Sequence, residues 1–485
     1  MTHLSPSKRF ALGALALTLT ACTVPAPAAS PGPGFDLLGP ERGLSAGIRI
    51  NLQPGGRHAQ TVPSDWATAS FVLSNPATLV ANRRQDLVRA SFVEAGGLAD
   101  STAVLFPNTR PGAGYTLYAS TYRDSADGPL RNALGYQTGL TLRPNESASV
   151  RIPLATLFPW TAQVLANVSG LPIDDNVPGD QGDGGLPSAA KFKLPMGIAF
   201  APDGTLYVAD QGDARIRTIT ATRDRIETLV QLPGARPRAL VYAAGLDNQA
   251  DVLFLTDTSN ARVSVMRGLG TTNVVATLVP FLDGTPNGMC YDPVRKRLYV
   301  SLSDGTLARI DVTNLASPQV TTMSIAMSNA SFSNPQGLAL NADGTRLYVA
   351  DTGRYRVLEV NLDTLQASVL AGSGAVGDVA KPSEGDGGLA TAATFKRPVD
   401  LVYDAFDGGH LYVMDTDAKV VRVVTLRNGL IATAWGDGGT ADVTTAKAAQ
   451  RATLLEPAGM GLMVDGASSS LYVSDRARIR STVTP

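Results

Sequence analysis

The chain has 485 residues, 41 basic against 42 acidic, for a formal net charge of −1. This balance, without long charge runs, excludes the basic stripe that nucleic-acid binding requires. Gly (48) and Pro (31) are frequent and charged residues make up only 17%, which suits a turn-rich β-protein of two or three domains.

The first elements are not part of a fold. His3, Lys8 and Arg9 precede the apolar run FALGALALTLT (10–20), which has signal-peptide length. The run ends in Leu19-Thr20-Ala21-Cys22. This resembles a bacterial lipobox, and the resemblance implies cleavage after residue 21 and lipidation of Cys22. The expected partner is then a cell membrane or outer membrane, reached through the lipid anchor. Two or more acyl chains hold a protein stably where one does not. Residues 22–40 include TVPAPAASPGPG, an uncharged Pro/Ala/Gly stretch read as a disordered tether. The other cysteine, Cys290, lies in Gly288-Met289-Cys290-Tyr291 and reads as a small core residue.

From 41 to 156 the pattern is strands and turns. Seven candidates are 46–52, 68–75, 87–94, 103–107, 114–123, 135–144 and 147–154. Ile48, Ile50 and Leu52 alternate with polar residues, as do Val150, Ile152 and Leu154. Seven short strands separated by turn signals predict an Ig-like β-sandwich, with a transthyretin-like one as the alternative.

The region 161–485 is a repeat. Leu-aromatic-aliphatic recurs as Leu206-Tyr207-Val208, Leu253-Phe254-Leu255, Leu298-Tyr299-Val300, Leu347-Tyr348-Val349, Leu411-Tyr412-Val413 and Leu471-Tyr472-Val473. A proline precedes each: Pro195, Pro237, Pro286, Pro335, Pro398 and Pro457. An aspartate follows in five copies (Asp210, Asp257, Asp351, Asp415 and Asp475), then an Arg-bearing segment. The third copy has Ser301-Leu302-Ser303-Asp304-Gly305 instead. A unit of this length with four short strands is a propeller blade. The pattern Pro195-Met-Gly-Ile-Ala…Leu206-Tyr207-Val208-Ala209-Asp210…Arg215-Ile216-Arg217 resembles the NHL repeat, which implies an all-β, six-bladed β-propeller. The segment from Pro457 supplies three strands. Residues 163–168 align with the outer strand around Ser368–Gly372 and are expected to complete the last blade. Closure in this way removes the free edges.

Two copies of a longer motif, QGDGGLPSAAKFKLP (181–195) and EGDGGLATAATFKRP (384–398), match at 10 of 15 positions. A third Gly-Asp-Gly-Gly stands at 436–439. The preferred reading is structural, with glycines for positive φ and Asp closing local turns. The alternative is an oxygen-ligand cation site, for which one carboxylate per loop is few. All three loops are expected on the face of the Asp-bearing turns, around one mouth of the central tunnel.

Residues flanking the six prolines are the candidate mouth: Met196, Arg238, Asn287, Gln336, Asp400 and Glu456. Thr285-Pro286-Asn287-Gly288 resembles the Pro-Asn-Gly of Ca²⁺-dependent propeller lactonases. That resemblance implies Asn287 as a metal ligand, with Asp400 and Glu456 adding a ligand and a general base; the rest of that family's pattern is missing. The only histidines past the leader, His58 and His410, are expected at surface or strand edge. The arginines at 215, 217, 262, 356, 422, 478 and 480 are expected to pair with the turn aspartates. The resulting expectation is a monomeric, lipid-anchored binding or scaffolding propeller that meets a protein or small ligand on its loop face. It uses no cofactor; the alternative is a Ca²⁺-dependent hydrolase or lyase.

Overall fold

The computed structural model describes residues 45–483, apart from the loops between the N-terminal strands, residues 157–160, 168 and 170–181, and short stretches at 281, 328–330, 379–380, 382, 441–446 and 466–467. The leader, the tether, Cys22 and His58 lie outside the described residues.

The N-terminal part holds β1 (Ser45–Pro54), β2 (Trp66–Asn75), β3 (Val80–Val88), β4 (Val93–Glu94), β5 (Asp100–Pro107), β6 (Gly112–Arg123), β7 (Leu130–Leu142) and β8 (Ser147–Thr156). Their order is β3-β2-β6-β7-β8-β1-β5-β4. Strands β7 and β8 pair only at Ala133↔Thr156 and Leu134↔Ala155, while β8 runs parallel to β1 over 47–54. The expected strand at 87–94 is therefore redrawn. Val80–Val88 pairs with β2, and a separate short strand begins at Val93. Asn82-Arg83-Arg84-Gln85-Asp86 concealed β3, because an edge strand carries charge that a central strand does not.

Six blades follow, each built on four antiparallel strands; two-residue strands at Ala326–Met327 (parallel) and Lys447–Ala448 add a fifth to blades 4 and 6. Blade 1 is Pro195–Phe200, Leu206–Asp210, Arg215–Ile219 and Ile226–Gln231. Blade 2 is Pro237–Asp247, Ala250–Asp257, Arg262–Arg267 and Val274–Val279, and blade 3 is Pro286–Asp292, Arg297–Leu302, Leu307–Asp311 and Gln319–Thr322. Blade 4 is Pro335–Leu340, Arg346–Asp351, Arg356–Asn361 and Gln366–Ala371, and blade 5 is Pro398–Asp404, His410–Asp415, Val420–Thr425 and Leu430–Trp435. Blade 6 is Pro457–Asp465, Ser468–Asp475, Arg478–Val483 and then β9 (Thr161–Ala166), whose Ala166 pairs with Ile479 and Thr161 with Val483. The chain just past the N-terminal strands thus zips onto its C-terminal strand. The six first strands touch one another in a closed ring, blade 6 against blade 1.

Alternation along the second strand explains the Leu-aromatic-aliphatic repeat. Leu206 and Val208 enter the seam between blades 6 and 1, while Tyr207 enters the seam between blades 1 and 2. Each of the six blade seams holds such a cluster. Several of these aromatics meet a ring on the next blade's first strand, as Tyr207 does with Tyr242 (5.8 Å) and Tyr348 with Tyr403 (6.0 Å). Full burial of such a side chain is worth about 1.5–3 kcal/mol relative to exposure.

The strand-end aspartates lock the crossing from blade to blade. Asp210 Oδ1 accepts from the Lys193 N–H (2.7 Å), Asp257 from Arg236 (3.0 Å), Asp351 from Ser333 (2.6 Å), Asp415 from Arg397 (2.7 Å) and Asp475 from Glu456 (2.7 Å). Each donor lies one or two residues before the blade's opening proline. Three also meet an arginine: Arg262–Asp257 at 3.0 Å, Arg356–Asp351 at 2.8 Å and Arg480–Asp475 at 2.8 Å. In blade 3 the register puts Leu302 at the aspartate's place, opposite Pro286. Ser303 Oγ accepts the Thr285 N–H there instead, at 3.0 Å.

The Gly-Asp-Gly-Gly loops do not surround the tunnel. Gly184 N donates to Ile226 O and Gly387 N to Ile431 O, both at 2.8 Å, so the first two loops lie along the outer strands of blades 1 and 5. Asp183 pairs with Arg217 and also accepts the Thr228 N–H at 2.9 Å. Asp386 pairs with Arg422 at 2.6 Å and accepts the Thr433 N–H at 2.8 Å. Arg217 and Arg422 are completely buried, over the rings of Phe192 (5.0 Å) and Phe395 (5.8 Å). A Cβ on Gly182 would stand 2.5 Å from Ala190 Cα, and one on Gly385 2.8 Å from Ala393 Cα. The shared Gly, Asp, Ala and Phe therefore build one box around a buried guanidinium. The third copy is out of phase. It follows Trp435 directly, and Asp437 accepts from Gly439 N (2.8 Å) and Thr453 Oγ1 (3.0 Å).

The N-terminal strands rest on the second box. Arg131 of β7 approaches Asp386 at 3.6 Å, Asn428 Nδ2 donates to Leu134 O at 3.2 Å, and Gln450 Nε2 donates to Arg131 O at 3.1 Å. Leu134 joins the buried cluster of Leu430, Ala432 and Trp435. Blade 1 has Arg225 and Glu227 at the places of Leu430 and Ala432, paired with each other in solvent.

Candidate site in the central channel

A cavity of about 350 Å³ runs between the six first strands. Each blade opens with Pro, then a lining residue, then a position where neighbouring strands nearly touch. A Cβ on Gly197 would lie 2.3 Å from Arg238 O, one on Gly288 2.2 Å from Gln336 O, and one on Gly459 2.3 Å from Met196 O. Close backbone approach explains Gly or Ala at this third position in blades 1, 2, 3, 4 and 6. Blade 5 breaks the rule with Asp400.

Asp400 lies against Gly337, whose added Cβ would come within 2.5 Å of the Asp400 Cα. Its carboxylate accepts the Leu401 N–H at 2.9 Å and, across the seam, the Met460 N–H at 2.7 Å. In blades 3 and 6 a hydroxyl ties the seam: Ser301 Oγ donates to Gln336 O, at 2.5 Å, and Ser474 Oγ to Met196 O, at 2.9 Å. Blade 5 has Met414 opposite Asp400, so the carboxylate makes the tie itself. Burial pushes Asp400 up to about 6, opposed by the Met460 and Leu401 N–H groups and by the charge of Arg238. Part of its surface stays open to the channel, yet desolvation dominates its titration.

Arg238 holds the polar side together. It donates through one Nη to Asn287 Oδ1 at 3.2 Å and through the other to Gln336 Oε1 at 2.5 Å. Asn287 Nδ2 donates in turn to Pro335 O at 3.0 Å, with Asn334 Oδ1 at 3.4 Å. Desolvation lowers the Arg238 pKa, Asp400 counters that, and nearby Arg397 adds to it. The structure therefore brings Arg238, Asn287, Gln336 and Asp400 together on blades 2 to 5, facing Met196 and Ala458 on blades 1 and 6. Deeper rows are apolar, with Leu240, Met289, Leu338, Leu401 and Met460.

Glu456 is not in this group. It precedes Pro457 instead of following it, is exposed, and does not line the channel. Asn287 already offers its oxygen to a guanidinium, and Asp400 is held by two backbone N–H groups. As placed, Asn287, Asp400 and Glu456 do not make the cation site that the lactonase resemblance implies. Among the described residues no three His, Cys, Asp or Glu side chains gather to hold a metal. His410, expected at the surface or a strand edge, is the first residue of its strand and is buried between Phe406 (6.1 Å) and Tyr412 (6.4 Å). The second strand of blade 5 begins one residue earlier than the Leu-aromatic-aliphatic signal showed. Cys290 packs partly buried against the seam of blades 3 and 4, and burial raises its thiol pKa.

No protein-family model matches the chain. Teneurin-1 of Homo sapiens is 47% identical over 57 residues, 12% of this chain and 2% of that protein. NHL repeat-containing protein 2 of Homo sapiens is 25% identical over 197 residues, 38% of this chain and 23% of that protein. The chain thus spans only a small part of these curated relatives. An auxiliary nutrient binding protein from Bacteroides thetaiotaomicron VPI-5482 superposes with TM-score 0.53 at 16% identity, over 85% of this chain and 90% of that one. One from Bacteroides ovatus ATCC 8483 gives TM-score 0.53 at 12% identity, over 90% and 98%. These similarities support an NHL-like six-bladed propeller and show the fold alone.

Proposed function

We propose that this chain is a lipid-anchored cell-envelope protein whose propeller binds a neutral, hydroxyl-rich small ligand, a mono- or disaccharide, in the channel mouth. The observation that carries this reading is the group Arg238, Asn287 and Asp400, where one cation, one amide and one carboxylate line a cavity of about 350 Å³, with the Gln336 amide held against Arg238 behind them. Opposite charges balance there, and planar amide and guanidinium groups match vicinal hydroxyls. A concave site with a few convergent polar groups over apolar rows is the usual form of a small-ligand site. The two Bacteroides neighbours are auxiliary nutrient binding proteins, which fits this reading. The Leu19-Thr20-Ala21-Cys22 sequence supports the anchor, and the N-terminal strands are taken as an Ig-like sandwich that serves as a spacer.

The test is calorimetric titration of the full chain with glucose, galactose, xylose, maltose and cellobiose. At least one sugar is expected to bind, and Arg238→Ala to weaken it by about tenfold or more, the effect of losing a charge-assisted hydrogen bond. Binding by none of the five, or equal binding by Arg238→Ala, overturns the reading.

A further inference from the structure

The connectors between blades fall into two classes by length. Residues 232–236 and 280–285, which lead into blades 2 and 3, are five and six residues long. Those leading into blades 4, 5, 6 and 1 are 323–334, 372–397, 436–456 and 167–194, of 12 to 28 residues. Crossing a four-stranded blade takes three spacings of about 4.8 Å, roughly 14 Å, and five residues at about 3.3 Å each span little more. The short connectors therefore go straight across, while the long ones have chain to spare and run along the rim of the blade they enter. Gly184 and Gly185 bond both backbone groups of Ile226 on blade 1, and Gly387 and Gly388 those of Ile431 on blade 5. Ala326–Met327 pairs with Gln366 and Ala367 on blade 4, and Lys447–Ala448 with Thr161 and Ala162 on blade 6. Four outer edges are thus covered by the chain itself. Among the described residues, no backbone segment pairs with the outer side of blade 2 or blade 3. An open edge is a template for another strand, and monomers blunt it with charge, proline or shortness. Blade 3 is blunted: its outer strand has four residues, and Pro318 stands directly before it. Blade 2 is not. Its edge reads TTNVVATLV (271–279), with neither a charge nor a proline. Val274 is 55% exposed, and Thr277 is exposed as well. The charges on the strand beneath are already paired, Arg267 with Asp247 at 2.8 Å and Arg262 with Asp257 at 3.0 Å.

We infer that a second copy of this chain covers this edge, the outer strand Val274–Val279 laid antiparallel to its twin so that two four-stranded blades join as one sheet. Identical antiparallel strands are related by a two-fold axis, so one edge supplies both halves of a closed dimer. An uncharged edge is complementary to its own copy, since no like charges meet across the axis. The pairing satisfies on both copies the row of backbone groups that the chain's own connectors satisfy on blades 1, 4, 5 and 6. The sequence suggested a monomer because connector length has no meaning for an edge until the blades are placed. The channel lies at the centre of the ring, so the pairing does not rest on the ligand reading.

The test is analytical ultracentrifugation of the full chain carrying Cys22→Ala, so that no lipid drives association. The mass is expected to move from one copy to two as loading rises from about 1 to 200 µM, the range for one strand pair. Val274→Lys combined with Thr277→Lys places like charges across the axis and should weaken the dimer by at least about tenfold. Both positions are exposed, so its thermal melt at low loading should match the parent. Val320→Lys, on the outer strand of blade 3, should dimerise like the parent. Hydrogen exchange gives a second readout, with the amides of 274–277 slower at high loading than at low. The proposal is overturned if the parent stays one copy throughout, if the double variant associates as tightly as the parent, or if exchange at 274–277 does not change with loading.

Discussion

Arg422 donates to Asp386 over 2.6 Å while its own side chain is completely buried, and Arg131 of the N-terminal strands reaches the same carboxylate at 3.6 Å. One ion pair therefore fixes the rim of blade 5 and the seat of the preceding domain together. Removing one partner of a buried pair leaves a charge without compensation, at a cost of about 3–5 kcal/mol. Asp386→Ala is expected to lose that much in urea unfolding, and Arg422→Met combined with Asp386→Ala to recover a large part of it. Additive losses in the double variant would show that the pair is not coupled.

Among the described residues, the matching box in blade 1 carries the exposed Arg225–Glu227 pair where the box in blade 5 meets the N-terminal strands. Asp183→Ala should destabilise the propeller by a similar amount, about 3–5 kcal/mol, through Arg217. It should leave protease resistance of the N-terminal strands unchanged, whereas Asp386→Ala should raise their cleavage rate. Limited proteolysis followed by mass spectrometry reads the difference. Equal cleavage in both variants would contradict the docking role given to Asp386.

Asp400 gives a pH signature. Its value in the folded chain, about 6, lies above that of a free aspartate, so the folded protein holds this proton more tightly than the unfolded chain. Stability from this group is fully present below the unfolded value and is lost as pH rises from about 4 through about 6. Asp400→Asn, which keeps an acceptor for the Met460 N–H, should remove that loss and stabilise the protein by about 1–3 kcal/mol at pH 7.5. Asp210, pushed by burial up to about 7, adds a slope of the same sign. The informative quantity is thus the difference between wild type and variant in denaturant melts from pH 4.5 to 8. A difference that does not change with pH would contradict the assignment.

The lipidation proposed at Cys22 predicts that the chain expressed in a bacterial host incorporates radiolabelled palmitate and sediments with membranes. Cys22→Ala should abolish the label and release the protein from the membrane fraction. Labelling that survives the substitution would place the lipid elsewhere or remove the anchor.

The repeat was legible because its periodic parts carry packing. Leu-aromatic-aliphatic fills two seams at once, the proline opens each first strand, and the aspartate closes five of the six crossings, so all three recur in sequence. Closure through residues 161–166 was legible from their likeness to 368–372. The place of the Gly-Asp-Gly-Gly loops was not, because a shared motif gives no direction; the partner Arg217 or Arg422 lies in another strand. Spacing to the next proline, 13 residues in two copies and 21 in the third, was the signal that separated them. Glu456 was misplaced by a similar ambiguity, since residues before and after a proline face different surroundings. Asp400 was legible as a break in the Pro-x-Gly pattern, but its tie to Met460 needs the neighbouring blade.

The most direct test of the central claim is a crystal structure of the full chain with the tightest-binding neutral sugar of the five. The account predicts ligand density in the channel mouth, with hydroxyls on Arg238, Asn287, Gln336 or Asp400. Density confined to the opposite face of the propeller or to the N-terminal strands, with an empty channel, would contradict it.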